Sequence, residues 1–290
     1  MSATSASESE YISTRRVGEA RVSIINDGTL PWAPRFPAPE PAWRRAMPEA
    51  DARGRVALAL NVALVRLPGA TILIDPGCDD PTSAWERGFE AEFPGASRTP
   101  GLAAGLGALG VAPGEVTHVL ITHAHGDHFA GVMVERDGRL VPRFPNARHL
   151  IGRRDWEENP TRHQPDSALA MRLGPIAELG RVELVEDERE IVPGVTMLAA
   201  PGETPGHCIV RLRSSGATWY YLGDLFHHAC EVTHLDWVPP GRDTAAMRRS
   251  RQRVLAEAVP ARALLVTTHQ RFPPWGRIVP AGAVSWWERA

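Results

Sequence analysis

Lysine is missing from this chain, so its 32 strongly basic side chains are all arginines. This absence excludes enzyme classes that depend on a lysine amine, including pyridoxal-phosphate enzymes, Schiff-base aldolases, P-loop nucleotide hydrolases and protein kinases. Cysteine is scarce as well, because only Cys78, Cys208 and Cys230 occur and they are far apart. Without a CxxC pair, neither a cysteine zinc knuckle nor a disulfide framework can be built.

Long apolar runs and a strong net charge are missing too. No run approaches the roughly 18 residues that a membrane helix needs, and the first residues lack the apolar core of a signal peptide. The formal net charge is only −2 and the arginines are scattered. The protein surface therefore lacks the positive electrostatic potential that attracts nucleic acid or an anionic membrane. We therefore expect a soluble, cytoplasmic protein that binds neither nucleic acid nor membrane.

The size of the chain allows one large domain or two closely packed halves. Its 290 residues are 43% hydrophobic, which is enough to bury a core without disulfides or structural metal. The small polar residues at the start predict disorder over residues 1–18, so a single domain would occupy residues 19–290.

Residues 29–55 form a proline-rich segment that contains six prolines. Prolines at this density oppose regular strand or long helix, so we predict a loop or arm. Its large aromatic residues, Trp32, Phe36 and Trp43, leave three interpretations open. The segment could be a plain surface arm, a lid over a pocket, or an arm that forms a homodimer.

Strands and helices alternate along the rest of the chain. Strands are predicted near residues 19–26, 55–67, 70–77, 117–121, 147–151, 182–186, 195–200, 207–213, 218–223 and 263–267. Helices are predicted near residues 82–93, 99–109, 127–133, 153–158, 165–179 and 244–258. This pattern indicates a layered α/β protein, and the lack of GxGxxG after the first strand argues against dinucleotide binding.

Histidine is plentiful, with 11 residues, and the densest group directly follows the apolar strand VLIT. In the run His123-Ala-His125-Gly-Asp127-His128, residues 123 and 125 leave the strand on one face, so two imidazoles can converge on one ion. The chain then turns at the glycine and brings in Asp127 and His128 from a helix start. Two metal ions become possible within one short loop.

Further ligand types follow β-rich segments elsewhere in the chain. They are His207 in PGETPGHC, Asp224 in WYYLGDLFHH and His269 in LLVTTHQR. Asp75 likewise follows the apolar residues of the run ILIDPG. Each of these adjoins Gly, Pro or Thr, as expected for a ligand on a loop at a sheet end. We interpret Cys208 as a small buried strand residue rather than a ligand.

These motifs, taken in order from residue 75 to residue 269, resemble those of the metallo-β-lactamase superfamily. The resemblance implies an αββα sandwich of two similar halves with the metals where the two sheets meet. It implies one metal on His123, His125 and His207, a second on Asp127, His128 and His269, and Asp224 as the bridge between both. It also implies that Asp75 hydrogen-bonds next to the site and orients it.

The implied donor set of imidazoles and carboxylates suits two Zn²⁺ ions per chain and also tolerates Fe or Mn. Two neighbouring ions would hold a water, lower its pKa and present hydroxide to an electrophilic carbonyl or phosphorus. We therefore expect hydrolysis, in which Asp127 also orients the nucleophile or carries its proton.

Within the superfamily, the sequence is similar to the group of N-acyl-homoserine lactonases and methyl-parathion-hydrolase-like enzymes. That resemblance implies a lactone or carboxylic ester as substrate, with phosphotriesters as a further possibility. Such lactonases often carry a tyrosine three residues after the bridging aspartate, where this chain has His227. Its imidazole could donate the same hydrogen bond to the substrate carbonyl, or it could belong to a polar loop.

Aromatic residues near the ligands suggest a small apolar substrate. The expected pocket residues are Phe129, Phe226, Trp237, Phe272 and Trp275, although residues of this kind near a sheet edge are often core. Two other functions stay open. One is a non-haem iron oxidoreductase of the same fold acting on a thiol or persulfide, and the other is a metal-stabilised binding or scaffold protein.

Overall fold

Two seven-stranded sheets form the centre of the protein, and a computed structural model describes residues 9–81, 83–98, 100–282 and 284–290. The strand order is β1-β2-β3-β4-β5-β8-β9 in the first sheet and β10-β11-β12-β13-β14-β15-β16 in the second. A separate hairpin contains β6 and β7. The first sheet takes its strands from β1 to β9, without that hairpin, and the second takes β10 to β16, so the chain builds one half and then the other.

The strands of the first half are β1 (Ile12–Val17), β2 (Ala20–Trp32), β3 (Val56–Leu67), β4 (Ala70–Ile74), β5 (His118–Ile121), β6 (Met133–Arg136), β7 (Arg139–Pro142), β8 (Arg148–Gly152) and β9 (Val182–Val185). Those of the second half are β10 (Glu188–Val192), β11 (Val195–Ala199), β12 (Cys208–Ser214), β13 (Ala217–Tyr221), β14 (Leu264–Val266), β15 (Gly276–Ala281) and β16 (Val284–Arg289).

The α-helices are α1 (Glu40–Ala46), α2 (Ala84–Glu92), α3 (Leu102–Ala108), α4 (Gly126–Phe129), α5 (Arg153–Glu157), α6 (Ala168–Glu178), α7 (Cys230–Thr233) and α8 (Thr244–Ala258). Short 3₁₀ turns occur at Pro113–Glu115, Ala130–Val132 and Pro160–His163. Over the described residues, no helix is both long and apolar enough to cross a bilayer.

The two sheets face each other across a shared hydrophobic core, and helices cover their outer faces. Alternation along β13 illustrates how the strands serve both layers, because Trp219 and Tyr221 enter the core between the sheets while Tyr220 points to the helical side. Apolar residues of α3 and α6 cover the first sheet, and those of α8 cover the second. The architecture is the αββα sandwich that the resemblance to the superfamily implies.

Strand direction places the polar loops at one edge of this sandwich. The pairs β4/β5 and β13/β14 are parallel, so the residues that follow these strands leave their sheets at the same ends. Backbone hydrogen bonds then connect the two halves there, with the Cys208 N–H donating to Thr122 O at 2.7 Å and the Asn61 N–H donating to Thr268 O at 2.9 Å. Cys208 itself is buried between the sheets, as expected.

The predicted disorder over residues 1–18 is wrong for its second half, while residues 1–8 lie outside the described residues. β1 pairs with β2 in full antiparallel register, and Ser13 and Thr14 are buried. The Trp275 indole N–H donates to Ser13 Oγ at 2.8 Å. The composition of this segment is that of a disordered tail, but contacts with residues far away in the sequence keep it ordered.

The proline-rich segment is also more regular than its composition predicts. β2 runs through Pro31 to Trp32, and α1 begins at Glu40 directly after Pro39. Proline is compatible with both places, since it is tolerated at edge or bulge positions of a strand and in the first turn of a helix. The C-terminal hairpin of β15 and β16 gave no clear signal in the sequence and extends the second sheet.

Candidate metal centre

The turn after β5 brings its four polar side chains together at the sheet edge. His123 lies two residues beyond the end of β5, His125 occupies the position before α4, and Asp127 and His128 lie within that short helix. His123 Nε2 lies 2.8 Å from His125 Nδ1, and His128 Nε2 lies 3.6 Å from Asp127 Oδ2. The local chain reversal therefore produces two neighbouring pairs of donor atoms.

Loops from the second sheet complete two donor groups, in each of which all donor atoms lie within 4.8 Å of one another. The first group contains His123, His125, Glu203 and Asp224, and the second contains Asp127, His128 and His269. Each group offers both nitrogen and oxygen atoms, which is the donor chemistry of zinc, iron and manganese sites.

Asp224 faces both groups with one carboxylate oxygen each. Its Oδ2 lies 3.7 Å from His123 Nε2, whereas its Oδ1 lies 3.3 Å from His128 Nε2 and 3.2 Å from His269 Nε2. A single carboxylate is thus within reach of ions in both positions, as the sequence resemblance implies.

His207 is buried beside the first group but its nitrogen atoms have protein partners. Its Nδ1 donates to Ala200 O at 3.0 Å, and its Nε2 accepts the Asp224 N–H at 3.2 Å. Its ring centroid is 5.1 Å from that of His123. The structure therefore brings all seven predicted ligands to one place, with His207 adjoining the four-residue group rather than belonging to it.

Hydrogen bonds from outside the groups fix the orientation of two imidazoles. The Asp75 carboxylate accepts from His128 Nδ1 at 2.7 Å and also from the Thr122 N–H and hydroxyl, each at 2.7 Å. The His269 Nδ1 donates to Ala59 O at 2.8 Å. Each bond places the proton on Nδ1 and leaves Nε2 as an acceptor, which is the tautomer that binds a metal.

Two buried atoms at the second donor group lack hydrogen-bond partners. His128 Nε2 and Asp224 Oδ1 are buried and have no hydrogen-bond partner, an arrangement that is costly unless something else satisfies them. Burial lowers the pKa of His123 well below its ordinary value, so its imidazole is neutral and able to bind a metal. The donor set therefore fits divalent metal ions.

A cavity of about 350 Å³ opens above these groups. Its polar lining includes the predicted ligands His125, Asp127, Asp224 and His269 together with His227. The remaining wall is mostly apolar and consists of Leu30, Trp32, Leu58, Phe89 and Phe93, with Glu92 and Arg242 as charged members. The site is thus an apolar pocket with donor atoms at its floor, a common form of small-molecule site.

His227 lies inside this pocket in a closely defined position. Its ring is stacked between Trp32 and His269, with centroid distances of 5.3 and 5.6 Å and interplanar angles of 10° and 6°. Its Nε2 lies 3.3 Å from Asp224 Oδ2, and its backbone N–H donates to Glu231 Oε1 at 3.0 Å. His227 is therefore a fixed part of the site rather than of a solvated polar loop.

Comparisons with known proteins agree with this arrangement. The sequence model described as "Metallo-beta-lactamase superfamily" matches residues 56–269, more than half of the chain. The chain belongs to the metallo-beta-lactamase superfamily. The matched region contains all the donor residues described above.

Two curated relatives match over a shorter region. The N-acyl homoserine lactonase AttM of Azorhizobium caulinodans is 30% identical over 99 residues, which cover 32% of this chain and 34% of that protein. The protein of the same name from Rhizobium radiobacter is 29% identical over 99 residues and is covered to the same 34%. The aligned part thus spans about a third of these relatives.

Several solved structures share the fold over nearly the whole chain. A hydrolase named AbOPH has a TM-score of 0.79 at 20% identity, covering 98% of this chain and 99% of that one. AidC, described as a dizinc quorum-quenching lactonase, has a TM-score of 0.75 at 22% identity, with 97% of both chains covered. A probable metal-dependent hydrolase from Staphylococcus aureus has a TM-score of 0.80 at 22% identity, covering 95% of this chain and 99% of that one.

Three of the five aromatic residues predicted to line the pocket lie in the core instead. Phe129, Phe226 and Trp275 are each at most 1% exposed and belong to the hydrophobic clusters inside or outside the sheets. None of the three lies beside a ligand on a regular strand, so proximity in sequence did not determine which way these side chains point. Trp237 packs on Phe36 at 5.4 Å, and Phe272 lines a neighbouring cavity that also reaches His269.

The pocket residues that the sequence did not reveal come from distant segments. Leu58 lies on β3, Phe89 on α2 and Arg242 before α8, and no spacing in the sequence links them to the histidines. Glu203 is different, because it lies in the same PGETPGHC segment as His207 and could have been recognised as a further carboxylate beside a ligand. Trp32 is one of the aromatic residues of the proline-rich segment, and the structure places it at the end of β2 in contact with His227.

Proposed function

We propose that this member of the superfamily is a dinuclear metal-dependent hydrolase of lactones or carboxylic esters, with phosphotriesters as further substrates. The observation that carries the proposal is the position of Asp224, whose two oxygens lie 3.2–3.7 Å from imidazole nitrogens of both donor groups. One carboxylate facing two sets of ligands supports a pair of ions rather than a single one.

His123, His125 and Asp224 would hold one ion with His207 nearby, and Asp127, His128, His269 and Asp224 would hold the other. When bound, the two ions supply Lewis acidity that lowers the pKa of water and stabilises negative charge on oxygen. Zinc is the metal that we propose, and iron or manganese suits the same donors.

The protein's own side chains position the reactants in this scheme. Asp127 is 17% exposed and lines the pocket, so its carboxylate can accept a hydrogen bond from the attacking water and take up its proton. His227 Nε2 faces the same space and can donate to the substrate carbonyl oxygen, as the tyrosine of similar lactonases is expected to do. The stacked rings of Trp32 and His269 hold the imidazole in place for this contact.

The apolar wall supports a hydrophobic acyl or aryl group on the substrate. Leu30, Trp32, Leu58, Phe89 and Phe93 surround the space above the donor atoms and would exclude water around an apolar chain. The curated relatives that match this chain are named N-acyl homoserine lactonases, which makes acyl-homoserine lactones the first substrates to assay.

The test combines metal analysis with a substrate panel. Purified protein should contain about two ions per chain, and chelation should abolish turnover of acyl-homoserine lactones, aryl esters or an organophosphate, with recovery after adding Zn, Mn or Fe. Replacing His227 with Phe keeps the ring stack but removes the donor, and should lower kcat about 100-fold, whereas His227→Tyr should retain activity. Metal-free protein with full activity would contradict the proposal.

Other results would favour the alternatives. Iron as the purified metal together with oxygen consumption on a thiol or persulfide would indicate an oxidoreductase of the same fold. A protein in which Asp127→Ala changes no measured property would indicate a binding or scaffold role.

Three wider expectations complete the proposal. A cytoplasmic location and the exclusion of nucleic acid and membrane partners are predictions from composition. A homodimer through residues 29–55 is a further one, and light scattering of the wild type beside a Trp43→Ala variant would test it.

A further inference from the structure

Glu203 places a third carboxylate at the metal centre, in addition to Asp127 and Asp224. It lies on the turn between β11 and β12, and its side chain is fully buried. Its Oε1 lies 3.5 Å from His125 Nδ1, and it shares the donor group of His123, His125 and Asp224. No part of the proposed reaction above uses this carboxylate.

The turn that carries Glu203 is held firmly from both sides. Gly202, just before it, has a φ of 144° and lies so close to α8 that a Cβ would come within 2.4 Å of the Met247 backbone. Beyond it, Asp155 accepts from the Thr204 hydroxyl at 2.7 Å and from the Gly206 N–H at 2.6 Å. The position of the carboxylate is therefore set by the backbone.

Only one of the two Glu203 oxygens has a hydrogen-bond partner. Arg242 donates to Oε1 from its Nε at 2.7 Å, with its NH2 also 2.7 Å from the same oxygen. Oε2 is buried and has no hydrogen-bond partner, and it lies 3.9 Å from His227 Nε2. A buried carboxylate oxygen without a partner is costly, so something beyond these side chains is expected to satisfy it.

We propose that Glu203 is a ligand of the first metal ion, together with His123, His125 and Asp224, and that Arg242 orients it. The inference rests on the dinuclear metal centre proposed above. The arrangement follows a common rule of metal sites, in which a ligating carboxylate is itself hydrogen-bonded by a neighbour. Arg242 also offsets part of the charge of a centre with three carboxylates.

The added oxygen donor has a consequence for metal choice. Carboxylates suit hard ions such as Mn²⁺ better than imidazoles do, whereas imidazoles suit Zn²⁺. The first site therefore accepts Mn²⁺ or Fe²⁺ more readily than it would if residue 203 were neutral.

The experiment compares metal binding by the full-length wild type, Glu203→Gln and the control Glu92→Gln. Glu92 is an exposed carboxylate on the wall of the same pocket and lies outside both donor groups. Each protein is titrated with Zn²⁺ and with Mn²⁺ against a chromophoric chelator, and bound metal is counted by mass spectrometry after dialysis. Circular dichroism of the metal-free proteins checks that each is folded.

We expect the wild type and Glu92→Gln to bind about two ions. Glu203→Gln should retain one ion and bind the other at least about 100-fold more weakly, the upper end of what losing an outer hydrogen-bond partner costs. The loss should be larger for Mn²⁺ than for Zn²⁺. If Glu203→Gln fails to fold, Glu203→Asp keeps the charge with a shorter reach, and it should weaken the same ion.

Two results overturn different conclusions. If folded Glu203→Gln or Glu203→Asp binds both ions with wild-type affinity, Glu203 is no ligand, while the dinuclear centre stands. If the wild type itself binds fewer than two ions, the proposed dinuclear hydrolase is wrong and this inference falls with it.

Discussion

Replacing Asp75 with asparagine should prevent His128 Nε2 from binding a metal ion without changing the shape of the site. The Asp75 carboxylate is 1% exposed and accepts three hydrogen bonds of 2.7 Å, two from Thr122 and one from His128 Nδ1. Asparagine has nearly the same volume but keeps only one acceptor oxygen. If that oxygen continues to accept the Thr122 N–H, the new NH2 group faces the Thr122 hydroxyl and His128.

The NH2 group cannot accept a proton, so His128 must change its tautomer to keep the contact. Nδ1 would then accept, and the proton would move to Nε2, which is the atom that faces Asp224 and His269. A protonated Nε2 cannot bind a metal. Loss of such an orienting partner lowers metal affinity about 10- to 100-fold, which corresponds to about 1.4–2.8 kcal/mol.

The substitution should lower the free energy of unfolding by less than it lowers the free energy of metal binding. A hydrogen bond to a charged group contributes about 1.5–3 kcal/mol, and the asparagine retains part of that network. Urea unfolding of the metal-free proteins measures this cost, and chelator competition measures metal affinity. Asp187→Asn, an exposed aspartate on the surface, is the control and should change neither quantity.

One outcome would refute the reasoning. If folded Asp75→Asn binds metal with wild-type affinity, Asp75 does not set the tautomer of His128, and its buried contacts serve only the fold.

Three further perturbations address the pH dependence, the backbone and the buried charges. Burial lowers the pKa of His149 to about 4, so the unfolded chain takes up a proton before the folded one. Stability should therefore be highest above pH 6.5 and fall by about 2 kcal/mol by pH 5, a loss that His149→Leu should remove in urea unfolding. Gly223→Ala should weaken metal binding and destabilise the fold by about 1–3 kcal/mol, because φ is +53° and the new Cβ would lie 2.7 Å from His207 Nε2. Arg251→Leu should destabilise the protein by about 3–5 kcal/mol in the same unfolding assay, because Arg251 and Glu231 form a fully buried ion pair.

The last two of these predictions have matched control variants. An unfolding curve of His149→Leu that keeps the wild-type pH dependence would contradict the first. Gly216 has a similar φ of +77°, but a Cβ added there would meet open space. If Gly216→Ala lowers stability as much as Gly223→Ala does, backbone strain alone explains the loss of stability at Gly223. Arg248→Leu removes an exposed ion pair and should cost at most about 1 kcal/mol; an equally small loss for Arg251→Leu would contradict the buried-pair argument.

The metal ligands could be predicted because their spacing is local or follows strand ends. His123, His125, Asp127 and His128 lie within one turn, so the strand geometry before them already places their side chains. His207, Asp224 and His269 come at segment boundaries that composition makes visible. The alternation of buried strands and amphipathic helices is a periodic signal that predicted a layered α/β protein, whereas the αββα arrangement of two halves was implied by the resemblance to the superfamily.

The pocket could not be predicted in this way. Its walls combine Leu58, Phe89 and Arg242 from segments far apart in the chain, and proximity between such segments is decided by how the two sheets pack. Phe129 and Phe226 were misassigned because direction along a turn, rather than distance in sequence, determines whether a side chain faces a ligand or the core. The ordered strand β1 was missed because its burial depends on partners such as Trp275.

The sequence by itself determined which donor residues are available, since the lack of lysine excludes lysine-dependent chemistry and the ordered histidines and aspartates are the residue types that bind metal ions. Only the tertiary structure decided how that set is used. It placed Asp224 between two donor groups, brought Glu203 and Arg242 to the first of them, and stacked His227 between Trp32 and His269. The physical reason is that donor type is a property of each residue, whereas convergence of donors depends on where two separately formed sheets meet.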